Sequence, residues 1–325
     1  MLLSIVIPVF NSEETIGLLV EQLFELPIDY DLEVVLVDDA SKDGSARICE
    51  DLAHRFESNL VFVQLAKNFG EHNAVMAGLT HARGEWVVVM DDDLQDPPEA
   101  VQLLYDAIRE GDYDVVYSSI ANKRGKRWRI AGSWFNNLVC SLMLGKPYSL
   151  YLSSFKIMSR FAVEQVLSYR GSFPYIDGLL LQSVSRIGTV PVPHLERVAG
   201  KSSYTLSKLF GLWLSTFTNF SVFPLRLAFL LAIAGFFSGM LLIGSLVFEK
   251  VTDSTFPTGF LMLMATLVLF SSANLLVAGL VGEYVGRTLL NVNGKPQFVV
   301  RRLVAHGEDK TELKDQTEST QEVGD

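Results

Sequence analysis

Trp86-Val87-Val88-Val89-Met90-Asp91-Asp92-Asp93-Leu94-Gln95-Asp96-Pro97-Pro98-Glu99 changes character twice within one short segment. Trp86–Met90 is an apolar run of the kind that forms a buried strand, Asp91–Asp93 is an acidic block, and Pro97-Pro98-Glu99 opens a helix that runs to Glu110. The same alternation recurs on both sides. Toward the N-terminus, strands are predicted at Leu3–Val9, Glu33–Val37 and Leu60–Leu65, and helices at Glu13–Leu26, Ser45–Phe56 and Asn73–His81; a further strand, Val115–Tyr117, follows the Glu110 helix. Strand and helix in strict succession predict an α/β fold with a parallel sheet.

Ligands in such sheets sit beyond the carboxyl ends of the strands. Here those ends are acidic: Asp38-Asp39-Ala40-Ser41 after the second strand and Asp91-Asp92-Asp93-Leu94-Gln95 after the fourth. Adjacent carboxylates repel and raise one another's pKa unless a cation neutralises them. Asp91 and Asp93, with an oxygen from Gln95, form an all-oxygen set suited to Mg2+ or Mn2+ and able to bridge it to a diphosphate. The alternative is a solvent-exposed acidic turn before the helix. Asp39 is placed to accept hydrogen bonds from a nucleobase or ribose, or to form an Asx-turn opening the next helix at Ser41; the two readings are compatible. Asn68-Phe69-Gly70 before Glu71-His72-Asn73 reads as a helix-capping turn in which His72 is structural.

Beyond Tyr117 the pattern predicts two aromatic-rich amphipathic helices, Trp128–Met143 and Thr205–Phe220, flanking a shorter α/β stretch with Ser153–Met158 and Thr189–Val192. Gly200 and neighbouring serines mark Val198–Ser203 as a mobile loop. Lys123, Arg124, Lys126, Arg127 and Arg129, interleaved with Trp128 and Trp134, are suited to anionic headgroups or a phosphate; a solvated helix face is the alternative. Leu227–Phe248 and Gly259–Val281 contain no charged residue and are long enough to cross about 30 Å of hydrocarbon, so two membrane spans are expected rather than buried core helices. No basic leader precedes Leu2–Val9, Arg226 abuts the first span, and Arg287, Lys295, Arg301 and Arg302 follow the second, against Lys250 alone in the connecting loop. Both termini are therefore expected in the cytoplasm.

The formal net charge of −10 argues against nucleic-acid binding, and Glu308–Asp325 is acidic, free of aromatics and expected to be disordered. Cys49 and Cys140 lack metal-ligand spacing and read as packing residues in a reducing compartment.

Pro8-Val9-Phe10-Asn11, Val37-Asp38-Asp39-Ala40-Ser41, Asn68-Phe69-Gly70 through Met76-Ala77-Gly78, and Asp91 through Glu99 resemble glycosyltransferase family 2. Over Leu3 to Val300 the chain is similar to the polyprenyl-phosphate subgroup, which includes dolichyl-phosphate mannose synthase and undecaprenyl-phosphate glucosyltransferases. Gly282-Glu283-Tyr284-Val285-Gly286-Arg287 makes it most similar to the undecaprenyl-phosphate formamido-arabinose transferases. The resemblance implies that Pro8, Phe10 and Asp39 hold the nucleotide. Asp91, Asp92, Asp93 and Gln95 would hold the diphosphate and metal, and Arg129 and Ser133 would face acceptor or donor phosphates. Arg197, Lys201 and Ser202 would form a loop closing over the donor. It also implies inversion at the anomeric carbon and a homotetramer. One departure stands out: Leu150 and Lys156 occupy positions where the subgroup tends to place an acid and an arginine. That weakens the case for a side-chain base, although an anionic phosphate acceptor is already nucleophilic and positioning with charge neutralisation can suffice.

The expected architecture is a GT-A-type, Rossmann-like catalytic domain over 1–204, a juxtamembrane amphipathic helix over 205–224, two transmembrane helices within 225–288 and a cytoplasmic tail over 289–325. The expected activity is sugar transfer from a UDP-linked donor to undecaprenyl or dolichyl phosphate, at the cytoplasmic face of a bacterial inner membrane and in contact with its lipids. A processive polysaccharide synthase would require a Gln-x-x-Arg-Trp motif, which the sequence lacks. A catalytically silent membrane scaffold would have no need of the acidic block.

Overall fold

The computed structural model describes residues 1–120, 150–171, 174–193, 195, 259–292, 296–305 and 308–310, and isolated positions between 230 and 248. The N-terminal region alternates as β1 (Leu2–Val9), α1 (Ile16–Phe24), β2 (Asp31–Asp38), α2 (Ser45–Arg55), β3 (Leu60–Leu65), α3 (Glu71–His81), β4 (Trp86–Val89), α4 (Ala100–Glu110) and β5 (Val115–Ile120). Then come β6 (Lys156–Ser159), α5 (Arg160–Leu167), α6 (Ile176–Ser183), β7 (Ile187–Val192), α7 (Gly259–Val292), β8 (Val300–Ala305) and β9 (Glu308–Lys310). The chain divides into two compact units, 1–203 with 296–325, and 204–295.

The described strands form one sheet in the order β7-β5-β6-β4-β1-β2-β3-β8-β9. β1 is central and parallel to both β2 and β4, and its Leu3, Ile5, Val6, Ile7 and Val9 are all buried. A strand covered on both faces reads as a continuous apolar run, which is why Leu3–Val9 was legible without alternation. Helices supply the cover. On α4, Ala100, Val101, Leu104, Tyr105 and Ile108 recur at helical spacing and are buried.

The sheet is mixed rather than parallel as expected. β6 lies between β4 and β5 and runs antiparallel to both, setting Ile157 opposite Val88 on one side and Val116 on the other. The chain after α7 also departs from expectation: it is not a simple tail. The helix runs on to Val292, and β8 pairs antiparallel with β3, setting Val61 opposite Ala305 and burying Val304. Arg302 Nη1 reaches Glu50 Oε2 at 2.5 Å. Arg301 and Arg302 thus belong to a sheet strand, which leaves Arg287 and Lys295 as the basic residues that follow the second predicted span directly. Glu308–Lys310, expected to be disordered, is strand β9 paired with β8. The predicted helices Trp128–Met143 and Thr205–Phe220 lie outside the described residues, as does most of the predicted span Leu227–Phe248.

Among the described residues no helix is long and apolar enough to cross a membrane; α7 includes positions whose side chains fall outside them. Within this second unit a Cβ on Gly239 would lie 2.8 Å from the Phe270 ring, so Gly239 sits directly against α7.

Two close contacts fix α3 on the sheet. At the end away from the acidic edge, the buried Glu33 carboxylate accepts from Ser4 Oγ (2.5 Å), Arg83 N (2.8 Å) and Arg83 Nε (2.7 Å), tying the α3–β4 turn to β1 and β2. In mid-helix, a Cβ on Gly78 would lie 2.3 Å from Val6 Cγ1 and 3.0 Å from Val37 Cγ2. Alanine is favoured over glycine within helices by about 1 kcal/mol. A forced core overlap costs about 1–3 kcal/mol, and Val6 is fully buried with no room to retreat. Gly78→Ala is therefore expected to lower the urea midpoint, and an unchanged or raised midpoint would refute the close-packing account.

Candidate active site

The strand order reverses direction around β1: the chain moves to β2 and β3 on one side, then crosses to β4 on the other. The carboxyl ends of β1 and β4 flank this switch point, where α/β sheets bind ligands. Three of the four described non-glycine residues with positive φ lie in the turns there, Asn11 (55°), Ala40 (57°) and Leu94 (59°). For Ala40 and Leu94 this left-handed geometry costs about 1–2 kcal/mol each, which surrounding contacts must offset.

Those contacts join the loops after β1 and β2 into one plate. Asp39 N donates to Val9 O (2.9 Å), Asn11 N to Ser41 Oγ (3.0 Å), Lys42 N to Asn11 Oδ1 (2.8 Å), Ser12 N to Ser45 Oγ (2.7 Å) and Gly44 N to Glu13 Oε2 (2.6 Å). The Asx-turn here is made by Asp38, whose Oδ1 accepts from Ser41 N (3.1 Å), rather than by Asp39.

Within the acidic block each carboxylate has its own job. Asp92 turns back into the β1–α1 loop and accepts from Phe10 N (3.1 Å) and Ser12 Oγ (2.5 Å), while its carbonyl accepts from Thr15 Oγ1 (2.6 Å). Burial pushes the Asp92 carboxyl up to about 6 against these hydrogen bonds, and Asp91 and Asp93 add to the rise. Asp91 Oδ2 accepts from Ser154 Oγ (2.8 Å), just before β6. Asp93 Oδ1 accepts from Gln95 N (3.1 Å), closing the turn at Leu94. The Gln95 backbone carbonyl accepts from Leu195 N (2.8 Å), so the segment that leads into Arg197 starts beside the acidic turn. Among the described residues no three His, Cys, Asp or Glu side chains form a ready-made cage. The oxygen donors of Asp91, Asp93 and Gln95 nevertheless fit an ion of the Mg2+ type, which takes one or two carboxylates and completes its shell with water and substrate phosphates.

Asp39 faces α3. Its two carboxylate oxygens accept from Phe69 N (2.7 Å) and Gly70 N (2.9 Å), which requires Gly70 at φ 91°, a conformation that side-chain-bearing residues rarely adopt. Burial raises the Asp39 pKa, and the two amides partly offset it. One residue on, Glu71 opens to solvent at the cleft yet is densely surrounded on its other side. Burial and then the Asp91 charge push its carboxyl up to about 7. His72 meets Tyr175 edge to face, with ring centroids 5.2 Å apart. Below, the Lys156 ammonium is buried, ion-paired with Asp177 and set over the Tyr117 ring at 5.4 Å, and Tyr117 Oη donates to Asp177 Oδ1 at 3.0 Å.

The structure thus brings together Pro8, Phe10, Asp39, Asp91, Asp92, Asp93 and Gln95 at one edge, with Phe10 45 % exposed. Arg129, Ser133, Arg197, Lys201 and Ser202 lie outside the described residues. Leu150 is buried, and Lys156, read from sequence as a departure, is the cation of a buried pair. Sequence reasoning missed Ser12, Ser154, Glu71, Tyr117 and Asp177. An acid opening the apolar helix Ile176–Ser183 was the one available signal for Asp177.

The family model described as Glycosyl transferase family 2 matches residues 4–167. The undecaprenyl-phosphate 4-deoxy-4-formamido-L-arabinose transferase of Yersinia enterocolitica serotype O:8 is 32 % identical over 327 residues, covering 98 % of this chain and 96 % of that protein. Its Pseudomonas aeruginosa PAO1 counterpart is 35 % identical over 310 residues, covering 93 % and 90 %. Among solved structures, the glucosyl-3-phosphoglycerate synthase of Mycobacterium tuberculosis with Mn2+, UDP and phosphoglyceric acid is 20 % identical, with a TM-score of 0.47, covering 64 % of this chain and 73 % of that one. S. aureus TarS 1–349 with UDP is 26 % identical, with a TM-score of 0.44 and 58 % of each chain covered.

Burial holds His72 neutral, its pKa lowered from 6.5 to about 4. Between those values the unfolded chain binds the extra proton and the folded chain does not, so stability rises with pH through this window. The expected contribution is up to about 3 kcal/mol between about pH 4 and 6.5. His72→Phe keeps the ring packing and should flatten that part of a denaturation-versus-pH profile; an identical slope in both proteins would refute it.

Proposed function

The chain belongs to glycosyl transferase family 2, and from that membership we propose that it transfers a sugar from a UDP-linked donor to a polyprenyl phosphate at a membrane surface. The observation that carries this reading is the convergence of Asp39, Asp91, Asp93 and Gln95 at the switch point, beside relatives named for transfer to undecaprenyl phosphate over nearly the whole chain.

In this reading Asp39 and the plate of loops after β1 and β2 receive the nucleoside, with the exposed Phe10 ring as an apolar wall. Asp91, Asp93 and Gln95 would hold Mg2+ or Mn2+, and the ion when bound would supply charge neutralisation for a diphosphate. Asp92 positions rather than binds, because its hydrogen bonds already lock the β1–α1 loop against β4. Arg129 and Ser133 face phosphate, and Arg197, Lys201 and Ser202 close over the donor, a task suited to a guanidinium fork. The acceptor phosphate is anionic at neutral pH and needs orientation more than deprotonation, so the reaction tolerates Leu150 at the position of the expected acid. A homotetramer and inversion at the anomeric carbon belong to the same proposal.

Attachment to the membrane is supported by α7. Its 34 residues extend for about 50 Å, against about 30 Å of bilayer hydrocarbon. Leu263, Leu267, Leu275 and Val281 on it are exposed, as are Phe237 and Leu241 before it. Apolar surface on this scale is expected to face lipid. The proposed localisation is the bacterial inner membrane, with the catalytic unit and both termini cytoplasmic.

Membranes containing the protein, given radiolabelled nucleotide sugars and undecaprenyl phosphate, are expected to move label into lipid, to stop when a chelator is added and to recover with Mn2+ or Mg2+. Asp93→Asn is expected to lower kcat by about a hundredfold or more, in line with the loss of transition-state charge stabilisation. A scaffold would be indifferent to that substitution, and label entering lipid from no donor would overturn the reading.

A further inference from the structure

Resting on that reading, we infer that Glu71 is a specificity-determining residue that faces the transferred sugar, so that the enzyme takes neutral or cationic sugars and turns away anionic ones such as uronates.

The argument begins with where Glu71 is held. The residue before it is fixed by the Asp39 carboxylate, which accepts from Gly70 N on the nucleoside side of the cleft. The residue after it is fixed by the His72–Tyr175 ring contact on the opposite side, at the start of α6. Consecutive Cα atoms are about 3.8 Å apart, so Glu71 is confined between these anchors. The charges of Asp91, Lys156 and Asp177 act on its carboxyl. Asp91 follows β4 and Lys156 opens β6, so Glu71 lies toward the β4–β6 side of the switch point, which in the donor reading is the side taken by the sugar.

The charges of the described residues there point to one class. Among the described residues the cation that acts on Glu71 is Lys156, and its ammonium is buried, paired with Asp177 and placed over Tyr117. It has no reach toward a ligand. Glu71 is the group exposed to the cleft, with Asp91 and Asp177 of like sign behind it. A carboxylate presented this way accepts hydrogen bonds from hydroxyl or amino substituents, whereas a second carboxylate placed against it meets like-charge repulsion, a means of rejecting wrong ligands.

UDP, UDP-glucose and UDP-glucuronic acid form a suitable probe set, because the two sugars differ at one carbon by one charge. Binding to the full-length protein with Mn2+ present would be measured by calorimetry at about pH 8, well above the ordinary carboxylate range. The wild type is expected to hold UDP-glucose at least about tenfold more tightly than UDP-glucuronic acid, a gap in the range that one like-charge contact produces. Glu71→Gln should shrink the gap to about threefold or less while UDP itself binds as before. Glu71→Ser is a second variant with the same expectation, and thermal midpoints report whether each is folded. A wild type without the gap, or a gap that survives both substitutions, overturns the inference and leaves the donor reading standing. Failure of UDP itself to bind the wild type overturns both.

Discussion

The architecture turns on how a row of carboxylates is kept at the carboxyl edge of a buried sheet. Asp38 ends β2 and Asp39 follows it, Asp91, Asp92 and Asp93 follow β4, these two strands flank the central one, and burial raises the pKa of Asp39 and Asp92. Left unsatisfied, such groups would cost several kcal/mol each. The fold answers with local donors: Ser41 N for Asp38, Phe69 N and Gly70 N for Asp39, Phe10 N and Ser12 Oγ for Asp92, Ser154 Oγ for Asp91 and Gln95 N for Asp93. Each donor belongs to a loop or a helix start, so satisfying the acids simultaneously fixes the walls of the cleft.

The opposite edge makes the contrast. There Glu33 is a buried carboxylate too, but it is bound by the Arg83 guanidinium, Ser4 and a backbone amide, which leaves it inert and structural. β2 thus carries acids near both ends with different fates. One is neutralised by an arginine of the same chain, and the other set is held mainly by neutral donors. The same difference appears in the backbone, where Asn11, Ala40 and Leu94 adopt left-handed conformations at the cleft edge. Strain there is sustained because the cross-loop hydrogen bonds over-determine the turns.

Beside the acidic row lies the Lys156–Asp177–Tyr117 cluster. A buried ion pair is weak evidence for stability, since desolvation offsets most of the attraction, but removing one partner leaves an uncompensated charge at a cost of about 3–5 kcal/mol. Its structural consequence is geometric: β5, β6 and the start of α6 are tied at one point, directly below the ring pair that seats α3. Lys156 in this chain works inward, toward its own fold, and the residue left facing the cleft is Glu71.

Much of this was legible in the linear chain, and the reason is locality. Apolar runs such as Leu3–Val9, Leu60–Leu65 and Trp86–Met90 are buried strands because their neighbours in sequence break into polar turns, so strand positions, the acidic row and the family resemblance needed only short windows. Contacts between distant segments leave no such trace. The antiparallel return of β6, the closure of β8 onto β3, the division of labour that turns Asp92 into a loop latch, and the meeting of Lys156 with Asp177 all join residues whose separation carries no period. By itself the sequence determined which residues are acidic, apolar or able to turn, and where along the chain. Which carboxylate latches a loop, which one caps a helix start and which one pairs with a lysine was decided only when the packed sheet brought specific donors within hydrogen-bonding distance of each.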